Sequence, residues 1–174
     1  DLGPFDPRRK VIEYRYAGDE AGLAAMSLRA FADELSSSSP APGGGSVAAL
    51  CGALSASLSA MVAALSWAKS GMESVRPAMQ AAGSDGQTLK DWFLGAVDRD
   101  TAAFNQVLAV SRMPKRSPEE IAARGAALEL ASQGAAKVPL EVLEAAGRAL
   151  ELALQVAADG NPNSVSDAGV AGAC

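Results

Sequence analysis

The stretch that decides the fold runs from Ser36 to Leu65, SSSSPAPGGGSVAALCGALSASLSAMVAAL. Four serines and two prolines lead into Gly43, Gly44 and Gly45, and residues 47–68 then carry no charge. A run of that length meets the composition test for a bilayer span. Its internal pattern points instead to a buried helix. Val47, Leu50, Leu54, Leu58, Met61 and Leu65 recur at spacings of three and four, which predicts that this large apolar stripe is the buried seam. Between them Gly52, Ala56, Ala60 and Ala64 form a ridge of small residues that allows a neighbouring helix to come close, with Ser55 and Ser59 in part of another. Serines would need partners in lipid, and the run lacks aromatic belts and a basic flank beyond Lys69. A central helix from about Ser46 to Lys69 in a tightly packed bundle is expected, with no membrane span.

The glycines sit where that helix begins. The amides of a first helical turn have no partner within the helix, and the positive end of the helix dipole points the same way. Without a Cβ at Gly43, Gly44 or Gly45, a carboxylate or polar ring edge can reach the backbone, and Ser46 adds a hydroxyl. A flexible connection closed by a serine cap accounts for the same residues.

Working outward, the composition is helical. Of 174 residues 49% are hydrophobic but only 5% aromatic, so Ala, Leu and Val dominate. Ser27 caps a helix LRAFADEL that places Leu28, Phe31 and Leu35 on one face. A third helix is expected from about Val75 to Ser111, with a candidate break at AAGSDGQ. Ser117, Pro118 and Glu120 start a fourth with a capping box, and Pro139 interrupts it. After DGNPNS a last helix begins. The expected fold is all-α: an antiparallel helical bundle around a long apolar helix. Residues 1–26 differ, with the strand-like run 11–16 (VIEYRY) followed by a linker. They read as the end of an upstream domain, and residues 27–174 as a helical domain whose last helix is cut, since the chain lacks an initial Met and stops inside an alanine-rich run.

The net charge of −5 argues against nucleic acid as a partner. The absence of histidine removes the commonest general base and most zinc sites, and the isolated Cys51 and Cys174 suggest neither a disulfide framework nor a metal site. Chemistry here has to use Asp, Glu, Lys, Ser or backbone dipoles. On the third helix, Leu89, Phe93, Val97, Phe104, Val107 and Leu108 share a face, and Asp100 falls in its middle while Asp98 lies opposite, in solvent. A buried carboxylate is costly unless paired, and burial favours its neutral form, the condition that suits proton transfer near neutral pH. A structural aspartate bonded to another helix is the alternative. Asp167, three residues after Ser164, fits a capping box or a catalytic role. Lys115 and Arg116, in the loop before the fourth helix, can meet an anionic ligand tail or simply face water.

FADELSSSSPAPGGGSVAAL, DRDTAAFNQVLAVSRMPKRSPEE, KVPLEV and GNPNSVSDAGVA, in that order, resemble the cyclodeaminase/cyclohydrolase family of folate enzymes, and DLGPFDPRRKVIEYRY is similar to the end of the formiminotransferase domain in its bifunctional members. The resemblance implies cyclisation of 5-formiminotetrahydrofolate to 5,10-methenyltetrahydrofolate with release of ammonia, coupled in bifunctional members to formimino transfer in histidine degradation. It implies tetrahydrofolate as carrier substrate, polyglutamylated, with no metal, and a cytoplasmic homo-oligomer with sites near subunit contacts. On this reading Asp100 is the acid/base, Gly43, Gly44, Gly45 and Ser46 hold the pterin or a folate carboxylate, and Ser166 with Asp167 orients the substrate. A stand-alone methenyltetrahydrofolate cyclohydrolase and a non-catalytic helical assembly module are the alternatives.

Overall fold

A computed structural model describes residues 22–174, and among them every regular element is helical. The five α-helices are α1 (Leu28–Leu35), α2 (Gly44–Ala68), α3 (Arg76–Ser111), α4 (Pro118–Asp159) and α5 (Val165–Ala173). Short 3-10 turns cover Leu23–Ala25, Glu73–Val75 and Pro162–Ser164. The strand-like run at 11–16 and the first half of the expected linker, residues 17–21, lie outside the described residues.

Helix starts follow local chemistry. The Ser27 hydroxyl accepts from the Ala30 amide at 3.2 Å and begins α1. At α4 the Ser117 hydroxyl accepts from the Glu120 amide at 3.3 Å and donates to Glu119 Oε2 at 2.7 Å. That donation, with a backbone hydrogen bond, holds the Glu119 carboxyl below its usual range. Glu120 reaches back to the Arg116 amide at 2.7 Å, one residue further than in the standard capping box. Two expected interruptions are absent. α3 passes through AAGSDGQ without a break, because Gly86 serves packing: a Cβ there would lie 2.9 Å from Ala60 Cβ and 3.0 Å from the Ala56 carbonyl oxygen. α4 continues through Pro139. One lost hydrogen bond does not break a 42-residue helix that packs elsewhere along its length on α3 and α2.

α2 packs on α3, α4 and α5 and forms the middle of the bundle. Its contacts with α3 fix an antiparallel register: Ser46 meets Asp100, Gly52 meets Phe93, Ala60 meets Gly86 and Ala63 meets Gly83. The buried side of α2 is the small one. Ala49, Gly52, Ala53, Ser55, Ala56, Ser59, Ala60, Val62, Ala63 and Ser66 are buried, whereas Leu54 and Leu65 are each 47% exposed and Met61 is 40% exposed. This overturns the expectation that the large stripe is the seam. The helix backbones approach so closely, with Phe93 lying against Gly52, that only small side chains fit between them. Ala64, counted in the small ridge, is exposed. On α1 only Phe31 is buried, and Leu28 is 81% exposed. By length and composition α2 could cross a membrane, but half of its most apolar window is buried inside the bundle, as in the core helix of a packed domain.

The far end of α2 fastens the approach to α5. Ser66 Oγ donates to the Val62 carbonyl at 2.6 Å and accepts from the Asn161 amide at 2.7 Å, while Lys69 Nζ donates to Asn161 Oδ1 at 2.6 Å.

Candidate active site

The start of α2 meets α3 at Asp100. Ser46 is wholly buried, and its hydroxyl lies 2.9 Å from Asp100 Oδ2, 3.1 Å from the Val97 carbonyl oxygen and 3.1 Å from Thr101 Oγ1. Gly45 packs against the same carboxylate so closely that a Cβ would overlap it. The lack of a side chain at Gly45 is therefore a packing requirement that brings an acid to the first turn of a helix. Beside it opens a cleft of about 250 Å³ lined by Pro40, Gly43, Gly44, Gly45, Asp100, Phe104 and Ala135 among others. The first-turn amides of α2 carry the positive end of its dipole toward this region. Among the described residues Asp100 is the one titratable side chain lining the cleft.

Asp100 is half-buried, not sunk in the apolar face that its neighbours define. Leu89, Phe93 and Val97 are buried, but α2 begins opposite Asp100, so α3 beyond Thr101 runs past its support and Phe104 is exposed to the cleft. The carboxylate thus keeps one oxygen on the buried Ser46 and has access to a ligand. Asp98, expected in solvent, is half-buried: its Oδ1 accepts from the Ala24 amide at 3.4 Å, where the turn Leu23–Ala25 packs on α3.

Lys115, Ser166 and Asp167 do not line this cleft within one chain. Ser46 adjoins it through Asp100, its hydroxyl committed inside the protein. Lys115 is exposed in the loop after α3, whose helix carries on for 11 residues past Asp100, about 16 Å of rise. Ser166 and Asp167 lie in the first turn of α5. The segment leading there is tied to Ser66, and Ser66 is 20 residues, about 30 Å of helix, from Ser46. Ser164 makes no side-chain cap, so the capping-box alternative for Asp167 is not realised.

Three contributors escaped the sequence reading. Thr101 completes the hydroxyl cluster, and its adjacency to Asp100 was the available signal. Phe104 supplies an aromatic wall. Ala135 lines the cleft, and its carbonyl is the one that Pro139, lacking an N–H, cannot bond four residues on. A larger hollow of about 450 Å³ between α3 and α4, lined by Asp85, Trp92, Arg148 and Glu151 among others, contains none of these groups. Size alone does not make it the site.

Fold and site together define a helical domain that offers one carboxylate, rather than a histidine, beside a glycine-built helix start. Residues 27–174 match the family model described as Formiminotransferase-cyclodeaminase, and the chain belongs to that family. It is 35% identical over 172 residues to the formimidoyltransferase-cyclodeaminase of Rattus norvegicus, covering 98% of this chain and 32% of that protein. It is 37% identical over 145 residues to the methenyltetrahydrofolate cyclohydrolase of Methylorubrum extorquens, covering 83% of this chain and 70% of that protein. The structure of a formiminotetrahydrofolate cyclodeaminase from Thermotoga maritima superposes with a TM-score of 0.72 at 28% identity, over 85% of this chain and 72% of that one. The chain thus spans about a third of the length of its formimidoyltransferase-cyclodeaminase relatives and most of the length of the cyclohydrolase and of the solved cyclodeaminase.

Proposed function

We propose that residues 27–174 form a cyclodeaminase domain that converts 5-formiminotetrahydrofolate to 5,10-methenyltetrahydrofolate and ammonia. The observation that carries this reading is the Asp100 carboxylate held against Gly45 at the edge of a ligand-accessible cleft. Ring closure needs N10 of the folate to attack the formimino carbon and lose a proton. Collapse of the tetrahedral centre then breaks the bond to the formimino nitrogen, which leaves as ammonia once protonated. Asp100 accepts the first proton and returns it to the departing nitrogen, so it ends each turnover as it began. The first-turn amides at Gly43 to Gly45 bind a carboxylate or the polar edge of the pterin. Tetrahydrofolate enters as carrier and substrate.

We further propose a cytoplasmic, bifunctional enzyme that couples this step to formimino transfer in histidine degradation, with residues 1–26 as the junction. The match to the rat protein covers nearly the whole chain, including that segment, which supports the reading. Lys115 meets the glutamate tail of a polyglutamylated folate. The exposed Leu54, Met61 and Leu65 of α2 form the contact of a homo-oligomer. Ser166 and Asp167 reach a substrate only from a neighbouring copy, so their role in orienting it depends on that assembly. The second reading, a methenyltetrahydrofolate cyclohydrolase, has in its favour the 37% identity to such an enzyme over most of its length.

Asp100→Asn in the full-length protein, assayed with 5-formiminotetrahydrofolate by methenyl absorbance and ammonia together, abolishes turnover while folate still binds. Full activity in that variant refutes the acid/base role. Consumption of the methenyl compound without ammonia release from the formimino substrate selects the cyclohydrolase.

A further inference from the structure

We propose that Ser46 and Thr101 are positioning residues that hold Asp100 still through both of its protonation states, an inference that rests on the acid/base reading above. The Ser46 hydroxyl has one proton and three oxygen neighbours. The Val97 carbonyl at 3.1 Å can only accept, and so can the ionised Asp100 Oδ2 at 2.9 Å. Ser46 therefore donates to one of these, and Thr101 Oγ1, at 3.1 Å, is left to donate to Ser46. With Asp100 ionised, the Ser46 proton goes to Oδ2, because a bond to a charged acceptor is the stronger one. When Asp100 gains a proton on its other oxygen, Oδ2 becomes a weaker acceptor and the Val97 carbonyl competes for the same hydroxyl. The hydroxyl then needs only to turn about its own C–O bond. No buried polar atom is orphaned in either state, and Asp100 does not have to swing away from the cleft. Ser46 and Thr101 each keep their own proton throughout; the only proton exchanged with the substrate is the one Asp100 takes and returns.

The Val97 carbonyl already accepts the Thr101 amide within the helix, and it is able to play this part because the Thr101 hydroxyl leaves its second lone pair free. A helical threonine commonly turns its hydroxyl back onto the carbonyl four residues earlier, and for Thr101 that carbonyl is Val97. Here the Thr101 hydroxyl lies on Ser46 instead. Ser46 itself is wholly buried at the start of α2, out of reach of substrate, which separates positioning from binding.

The test uses the full-length protein and steady-state kinetics with 5-formiminotetrahydrofolate. Thr101→Val preserves shape and removes the donor; it lowers kcat by about 3- to 10-fold with KM unchanged, and Thr101→Ser restores it. Ser46→Ala lowers kcat by about 10- to 100-fold, again without raising KM. In a Ser46→Ala background, Thr101→Val has no further effect, since the hydroxyl through which the Thr101 hydroxyl acts on Asp100 is gone. Circular dichroism and melting curves accompany each variant, and the Thr101 pair decides the matter should Ser46→Ala fail to fold. Wild-type kcat in the Thr101→Val variant, additive losses in the double variant, or a rise in KM alone overturns the proposal. Activity in Asp100→Asn is a separate outcome that removes the acid/base reading itself.

Discussion

Gly52→Ala probes the contact on which the bundle depends. Alanine is the better helix former, and in an exposed helix the change is favourable by about 1 kcal/mol. At this site the new methyl would lie 2.6 Å from Phe93 Cζ and 2.7 Å from Phe93 Cδ1. Ordinary carbon contacts are about 3.5–4.0 Å, so the ring has to retreat by roughly 1 Å. Phe93 is wholly buried and packs edge-on to Trp92, with ring centroids 5.3 Å apart. Overpacking of this kind costs about 3 kcal/mol at the upper end of its usual range. Set against the propensity gain, the net loss is about 2 kcal/mol, a fall in Tm of about 4–8 °C for a domain of this size. Gly83→Ala is the internal control: its Cβ would sit 3.7 Å from Ala63 Cβ, an ordinary contact in the same α2–α3 interface, and it raises Tm. On a Phe93→Ala background Gly52→Ala also becomes stabilising, because the overlapping ring is gone. Thermal melts of the wild type and the four variants measure this. Should Gly52→Ala and Gly83→Ala shift Tm in the same direction, the close approach of α2 to α3 at Phe93 is wrong.

Ser59 is wholly buried and its hydroxyl has no hydrogen-bond partner among the described residues, so Ser59→Ala stabilises by about 1 kcal/mol in denaturant unfolding. Gly45→Ala displaces the Asp100 carboxylate and lowers kcat by at least about 10-fold, while far-ultraviolet circular dichroism stays unchanged. Leu54→Glu with Leu65→Glu places charge on the exposed face of α2 and shifts the sedimentation of the full-length protein toward smaller species; unchanged sedimentation rules out that face as the subunit contact.

Much of the architecture was legible before any coordinates. Ser27 and Ser117 start helices because a hydroxyl can satisfy a first-turn amide within three residues, a purely local matter. The Ser/Pro/Gly stretch likewise ends one helix and opens the next, although α2 starts at Gly43 without a side-chain cap and the Ser46 hydroxyl turns to Asp100 instead. Asp100 stood out because helical periodicity placed an acid among Phe93, Val97 and Phe104. Its partner could not be read in the same way, since Ser46 and Asp100 are 54 residues apart and meet only through the antiparallel register of α2 and α3.

What the amino-acid sequence determined by itself was the set of helices, most of their ends, and an acid out of place beside a glycine-built helix start. Which side of α2 faces inward was settled only by the tertiary structure. Periodicity cannot rank the sides of a helix that is apolar all round, and size favoured the stripe of Leu54, Met61 and Leu65. The distance between helix axes decides otherwise: with Phe93 seated on Gly52 and Gly86 on Ala60, there is room for alanine, glycine and serine but not for leucine. The same register sets Asp100 against Gly45 and places the first turn of α5 at the opposite end of α2. Each residue's helical propensity is written locally. Which residues meet depends on where whole helices come to rest.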